Sequence, residues 1–403
     1  RPNPPPLIST CRKVFGPKLF AQDLGRGRHI AVRENGDVYV MLQQLKDQKG
    51  MAALRDTDQD GKADQIEYYA DFPGTGIAIH KGYLYFSSDS AIHRVKLPKE
   101  GLLPTEAPEL IVGGFETRGE HDQKGFTFDQ QGNLYVGVGA PSNACQEKNR
   151  TPGEPGMDPC PLLEKFGGVW RYKADAPNQR HPQDGTRYAT GIRNTLALDW
   201  NTEVNKLYFL QHGRDQLNQF FPEHFDQKES IELPAEEFFV ANEGDHFGWP
   251  YCYYDPQQNK KVLAPEYGGN GEEVGRCKDF KDPLIGFPAH YAPNDLVFYN
   301  GEMFPEYYRN GAFIAFHGSW NRSPEEQQGY QVVFVPFKGE NPNGKWFIFA
   351  NGFKGKERIK SPSDAKARPT GLAIGPDGAL YISDSVNGKI WKITYQPPSQ
   401  KES

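Results

Sequence analysis

Arginine and histidine recur in this 403-residue chain at one kind of place, the edge of a short apolar run. Arg26, Arg28 and His29 open the first such run, and Glu120-His121 precedes the third. Arg193-Asn194 stands just before the fourth, and His212-Gly213-Arg214-Asp215 follows it. HGSWNR, from His317 to Arg322, follows the fifth run, and Arg368 opens the sixth. A histidine titrating near neutral pH can take a proton from a hydroxyl. Cations converging from several directions suit a ligand that carries several negative charges. A lone arginine before a strand is an ordinary ion-pair residue; the recurrence at matching points is what marks a site. His80, His93, His181 and His290 lack that placement and read as exposed or packing residues.

A second chemistry is written in residues 56–67, DTDQDGKADQIE. Asp56, Asp58, Asp60, Gly61 and Glu67 fall on D-x-D-x-D-G-x5-E, a calcium-loop spacing. The Lys62 carbonyl and the Asp64 carboxylate would complete a set of hard oxygens, and Gly61 lets the chain turn round the ion. The flanks, 52–55 and 66–69, read as strands rather than as a helix pair, so Glu67 is expected to point off along its strand. The expected occupant is a structural calcium ion. Without one, the segment is a solvated acidic turn.

The elements that must position these residues are repeats. Six segments share one pattern of apolar run, tight turn and second apolar run: 29–42, 76–88, 125–139, 196–213, 308–318 and 371–385. Gly or Asn at the turn supplies the positive φ that a hairpin needs. The runs alternate apolar and polar residues and are rich in Val, Ile, Tyr and Phe. A single hairpin cannot bury its own apolar face, so repeated units stack. Six units leave about 67 residues each, one four-stranded blade with its loops. The expectation is an all-β, six-bladed β-propeller with four-stranded antiparallel blades. It spans 1–403 as one domain, with 1–15 an N-terminal extension and 395–403 a C-terminal tail. A short helix is expected within 215–224.

Composition agrees with that class. Aromatics make up 13% of the chain, with 43 Gly and 33 Pro, which favours turn-rich β structure. The net charge of −6 is spread along the sequence, so nothing favours nucleic acid or a membrane surface. No apolar run approaches the length of a membrane-spanning helix. The proline-rich start, RPNPPPLIST, reads as a mature end after removal of a leader. Five cysteines are present. Cys145 with Cys160 and Cys252 with Cys277 each bracket a loop, which suggests two disulfides, an odd Cys11 and an oxidising compartment. The competing reading is five reduced, buried thiols.

Several phrases together resemble the soluble quinoprotein sugar dehydrogenases, which use pyrroloquinoline quinone (PQQ). They are GEHDQKGFTFDQQGNLYVGVG (119–139), GIRNTLALDW (191–200), QHGRDQLN (211–218), GDHFGWPYC (244–252), FHGSWNR (316–322) and ARPTGLAIGPDGALYISD (367–384). The chain is most similar to the L-sorbosone and pyranose dehydrogenase-like branch. The resemblance implies oxidation of an aldose at its anomeric hydroxyl, or of a sugar aldehyde hydrate, to a lactone or acid. It implies His121 as the general base, with Glu120 orienting it. It implies Arg193 and Asn194 at the quinone, and Arg28, Arg322 and Arg368 as partners of the cofactor carboxylates. It also implies calcium against the quinone, held by the backbone carbonyls of Gly213 and Arg214. The glucose enzymes of the family have Gly-Pro where this chain has Gly213-Arg214, and a fifth-blade lysine where this chain has HGSWNR.

By the same resemblance the enzyme is periplasmic or secreted, and is a monomer or a homodimer. Without a haem motif, electrons pass to a separate cytochrome, quinone or dye. Trp249 and Tyr251 have two readings, a stacking surface for sugar or an aromatic plug beside Cys252. Two rival functions stand beside the dehydrogenase. A calcium-dependent lactonase or esterase propeller needs several acidic side chains on the axis, and a non-catalytic binding propeller needs no matched His and Arg.

Overall fold

The computed structural model describes residues 15–397. Cys11, most of the expected N-terminal extension and residues 398–403 of the expected tail lie outside them. Six antiparallel sheets stand round an axis. Blade 1 is Gly27–Val32, Val38–Lys46, Lys49–Arg55 and Gln65–Tyr69. Blade 2 is Ile77–His80, Tyr83–Ser87, Ile92–Lys96 and Glu109–Gly113, with Gln179–Arg180 added in parallel. Blade 3 is Phe126–Phe128, Asn133–Val138, Gly168–Lys173 and Thr186–Thr190, with Asp245–His246 added in parallel. Blade 4 is Ala197–Asn201, Lys206–Gln211, Glu236–Ala241 and Ile285–Phe287. Blade 5 is Pro293–Phe298, Ala312–Phe316, Gln331–Val335 and Phe347–Ala350. Blade 6 takes three strands from the C-terminal end, Pro369–Ile374, Leu380–Asp384 and Ile390–Tyr395, and its fourth, Phe15–Ala21, from near the N-terminus.

That last pairing closes the ring. Phe15 faces Tyr395 and Ala21 faces Ile390, so Phe15 belongs to a strand rather than to an extension. The first strands of all six blades line an axial channel of about 390 Å³. Apolar faces of neighbouring blades meet between them; Phe313, Phe334, Phe349, Leu372, Ile382 and Trp391 fill the space between blades 5 and 6.

Five of the six expected hairpins form the first two strands of a blade. The fifth is different. Residues 308–318 supply only one strand, and Ala312–Phe316 pairs instead with Pro293–Phe298, far upstream. The Asn310-Gly311 turn belongs to a longer loop that contains the 3-10 turn Glu306–Tyr308. The helix expected within 215–224 is one turn, Leu217–Phe220, followed by Gln227–Glu232, which Asp226 caps. Both expected disulfides are present, Cys145–Cys160 and Cys252–Cys277.

Polar clasps stitch the blades near the axis. Asp199 accepts the Phe298 amide at 2.9 Å and the Thr127 hydroxyl at 3.3 Å, tying blades 3, 4 and 5. Asp295 accepts the Leu372 amide at 2.8 Å, tying blade 5 to blade 6. The Ser383 hydroxyl donates to the Arg28 carbonyl at 2.5 Å, tying blade 6 to blade 1. Strands alternate in direction, so residues that open a blade's first strand and residues that follow its second share one end of the channel. Arg28, His121, Arg193, His212, His317 and Arg368 are therefore at one mouth.

Candidate active site

His121 sits in the loop that leads into blade 3, with φ at 57°. The loop is pinned from both sides. The Asp122 carboxylate accepts the amides of Arg118 at 3.0 Å and Gly119 at 2.7 Å, and buried Lys124 donates through Nζ to the Asp122 carbonyl. Gly139 makes room for the imidazole, since a Cβ there would lie 2.6 Å from that of His121 and 2.7 Å from Asn194 Oδ1. His121 Nδ1 lies 2.6 Å from the Ala140 carbonyl, which can only accept, so Nδ1 carries the proton. Burial, with Arg193 nearby, pushes the imidazole down to about 3. It is neutral, and Nε2 keeps its lone pair, 3.9 Å from Glu120 Oε1.

Glu120 is held in place by two donors, Arg150 at 2.6 Å and Asn149 at 2.7 Å. Burial opposes its ionisation, but Arg150 outweighs that and holds it below the usual carboxylate range. Arg150 also reaches Asp215 Oδ2 at 3.0 Å, and Arg193 meets the same oxygen at 3.0 Å. Asn321 donates to the other Asp215 oxygen at 2.9 Å. Burial would raise Asp215, yet the two arginines hold it well below its ordinary value. Arg193 is further fixed by the Asn143 side-chain oxygen at 3.1 Å and the Gly213 carbonyl at 2.9 Å. Asn194 keeps a buried Oδ1 with no donor.

The opposite wall is different in kind. In a ring of six, blade 3 faces blade 6. There Arg368 donates to the carbonyls of His317 at 3.0 Å and Gly318 at 2.5 Å and lies 5.5 Å from the Tyr330 ring. Arg28, buried to 6% exposure, donates to Thr75 Oγ1 at 3.3 Å. Among the described residues no carboxylate lies at ion-pair distance from either guanidinium; Asp89 and Asp384 act on them only from farther off. Burial, and to a lesser degree the neighbouring Arg368, push Arg28 down to about 10, so two like charges lie near one another. Such a pair is an anion cradle.

The histidines do not add to that charge. His29 donates to the Asn294 carbonyl at 2.6 Å and His212 to the Pro293 carbonyl at 2.7 Å; burial pushes both down to about 4. His317, bonded to Ser385 Oγ at 2.7 Å, is likewise pushed well below its ordinary value by burial. They are neutral stitches, so the positive charge at the mouth is that of the arginines.

Arg322 does not join the cradle. Its fork is spent on Glu232 at 2.7 Å and on the carbonyls of Ile231 and Ala289, because the Gln227–Glu232 helix ends beside it. The Arg214 side chain is paired with buried Glu266. The Gly213 amide donates to Glu236 Oε1 at 3.0 Å, while Oε2 of that buried carboxyl has no donor and burial pushes it up to about 8. Trp249 and Tyr251 form the plug: both are buried, Trp249 donates to the Asn143 carbonyl at 3.0 Å, and Tyr251 accepts the Cys160 amide at 2.9 Å.

The acidic loop lies at the other end of its blade, between the third and fourth strands. Carboxylate oxygens of Asp56, Asp58 and Asp60 lie within 4.8 Å of one another, and Asp56 Oδ1 is buried without a donor. Asp64 and Glu67 stand outside this group. Asp64 accepts the Thr57 amide at 2.9 Å, and Glu67, on its strand, accepts from Gln65 at 3.3 Å.

Sequence reasoning passed over Arg150, Asn143, Asp215 and Glu236. Asp215 was within reach, two residues after Gly213, but nothing in the sequence marks it as the acceptor of two arginines. Arg150 lies on the disulfide-closed excursion of blade 3 and has no repeat position to mark it.

Known proteins bear on this arrangement. A pyrroloquinoline quinone-dependent pyranose dehydrogenase of Coprinopsis cinerea is 26% identical over 254 residues, 53% of this chain and 33% of its own length. The chain spans half or less of the length of the curated relatives it matches. The holo form of the pyranose dehydrogenase PQQ domain from Coprinopsis cinerea shares the fold, with a TM-score of 0.77 over 98% of each chain at 18% identity. So does the calcium structure of a Trichoderma reesei carbohydrate-active enzyme of family AA12, with a TM-score of 0.78 at 18% identity over 97% of this chain and 98% of that one. The model of one family spans residues 10–396, nearly the whole sequence: the chain belongs to the TrAA12-like family.

Proposed function

We propose that this chain is a PQQ-dependent sugar dehydrogenase, oxidising the anomeric hydroxyl of a pyranose or a related aldehyde hydrate to a lactone or acid. One observation carries the reading: a neutral imidazole with a free Nε2 faces, across the channel mouth, two arginines with no carboxylate at ion-pair distance among the described residues. A cofactor with three carboxylates supplies the missing negative charge. Arg28 and Arg368 would hold it, with Arg193 and Asn194 beside its quinone. When bound, the quinone supplies an electrophilic carbonyl that accepts hydride from the sugar carbon.

The chain's own part is to move and hold charge. His121 Nε2 takes the hydroxyl proton. Glu120, ionised at 3.9 Å, stabilises the resulting imidazolium, and Arg150 keeps that carboxylate from swinging away. Arg193, held by Asp215 and Asn143, presents fixed positive charge without reorganising. Gly213 and Arg214 carbonyls would hold calcium there; a carbonyl has two lone pairs, so Gly213 can serve Arg193 and a cation together. Asp56, Asp58 and Asp60 would hold a separate, structural calcium. The two disulfides suit a secreted or periplasmic enzyme. The lactonase alternative wants free acids on the axis, but Asp199 and Asp295 are taken up by backbone amides of neighbouring blades.

The test is a titration of chelator-stripped protein with calcium and PQQ, followed by absorbance against a panel of aldoses. Saturable binding with sugar-dependent bleaching is expected, and Arg368→Ala should weaken PQQ binding about 10-fold or more. Calcium retention without PQQ binding would instead favour the lactonase or binding propeller.

A further inference from the structure

We propose that the basic groove between blades 5 and 6 is the docking surface for an acidic, one-electron redox protein that reoxidises the site. This rests on the function proposed above: each sugar delivers two electrons as hydride, so two successive one-electron transfers to the partner, with two protons released to solvent, must restore the site before the next turnover. The groove, of about 1120 Å³, lies at the same mouth as Arg368. Its floor is apolar, with the Phe353 and Trp391 rings edge to face at 5.2 Å and Leu19 37% exposed. Lys354, Lys356, Lys366 and Lys389 surround that floor, against Glu326 and Glu357.

Charge sets this surface apart from the rest of the molecule. The whole chain carries −6, yet residues 354–366 hold five Lys or Arg and two acids. Lys354 and Arg358 share Glu326 at 3.4 and 3.5 Å. Exposed Lys356, Lys360 and Lys366 have no carboxylate partner among the described residues. An apolar centre ringed by unpaired lysines has the composition of a transient protein interface, and its charge steers an acidic partner.

The basic segment is also rigidly joined to the cofactor cradle. Gln327 donates to the carbonyls of Ile359 at 2.9 Å and Lys360 at 3.3 Å. Ile359 and Ala365 pack on buried Tyr330, the ring against which Arg368 lies. Ala367 lines the groove, and the next residue, Arg368, lines the site. A protein seated there would stand one layer of side chains from the cradle.

Cytochrome c is the probe, native (basic) and after succinylation of its lysines (acidic). At low salt the sugar-reduced enzyme should reduce the acidic form at least about 10-fold faster, and the advantage should shrink as ionic strength rises. The triple variant Lys356→Glu, Lys366→Glu, Lys389→Glu should reverse the preference and leave sugar-dependent bleaching without acceptor unchanged. Equal rates with the acidic form for wild type and variant would overturn the proposal. If no cofactor binds, the sugar-oxidation reading fails first. Calorimetric binding of the succinylated protein to wild type but not to the variant then still decides whether the surface docks acidic proteins, and no difference in binding overturns it.

Discussion

At the scale of residues, the site is an imidazole kept neutral beside charges kept fixed. His121→Ala should lose about 10²–10⁴-fold in kcat while still binding PQQ, measured by single-turnover bleaching and cofactor titration. Normal turnover in the loaded variant would remove His121 as the base. In the stripped protein, NMR of the imidazole should show the Nδ1–H tautomer unchanged from pH 8 to pH 5, since burial and Arg193 push its titration down to about 3. A midpoint near 6.5 would show that the ring is hydrated and the Ala140 bond is broken. Residue type and repeat position made the convergence of His121, Arg193 and Arg368 on one mouth legible in the sequence. Charge state was not, because burial decides it: three mouth histidines that read as cations are neutral donors to carbonyls or, for His317, a partner of Ser385. Arg322 read as a cofactor contact and is instead committed to Glu232.

At the scale of elements, the acidic loop and the hairpins teach opposite lessons. The loop's three clustered carboxylates repel one another without a cation. Calcium should therefore raise the melting temperature of the wild type by several degrees, and Asp58→Ala should abolish much of that rise without changing kcat in saturating calcium. Equal melting curves would mean a solvated turn. The clustering of Asp56, Asp58 and Asp60 was readable because those residues are close in sequence. The fifth hairpin was not, since Ala312–Phe316 finds its partner across a loop and the Asn310-Gly311 turn imitates a local one. Trp249 and Tyr251 were equally open until packing on the disulfide-stapled loop buried them.

At the scale of the molecule, closure and burial set stability. His29, His181 and His246 are each pushed by burial to about 4. The unfolded chain binds their protons below 6.5, so stability falls as pH drops from 6.5 towards 4. Asp199 and Asp295, which clasp the blades along the channel, are pushed by burial to about 7 and about 8. The folded state holds their protons where the unfolded state has lost them, so stability falls as pH rises from about 4 to 8. Below 6.5 the buried histidines, His121, His212 and His317 among them, outnumber the raised carboxyls Asp199, Asp295 and Glu236; above it those carboxyls dominate. Calorimetry should find the highest melting temperature near pH 6.5, and a steady rise to pH 8 would show these carboxyls ionising freely. The class of fold and the blade count were legible from the residues alone, because strand alternation and turn glycines are short-range. The clustering of the loop carboxylates and the Cys pairing were legible too, through spacing. It took the folded chain to bring Phe15–Ala21 into blade 6, to set Arg28 and Arg368 near one another without an ion-paired carboxylate, and to link Glu120 to Arg193 through Arg150 and Asp215. Those are contacts between segments tens to hundreds of residues apart, and their energies depend on burial that no local pattern records.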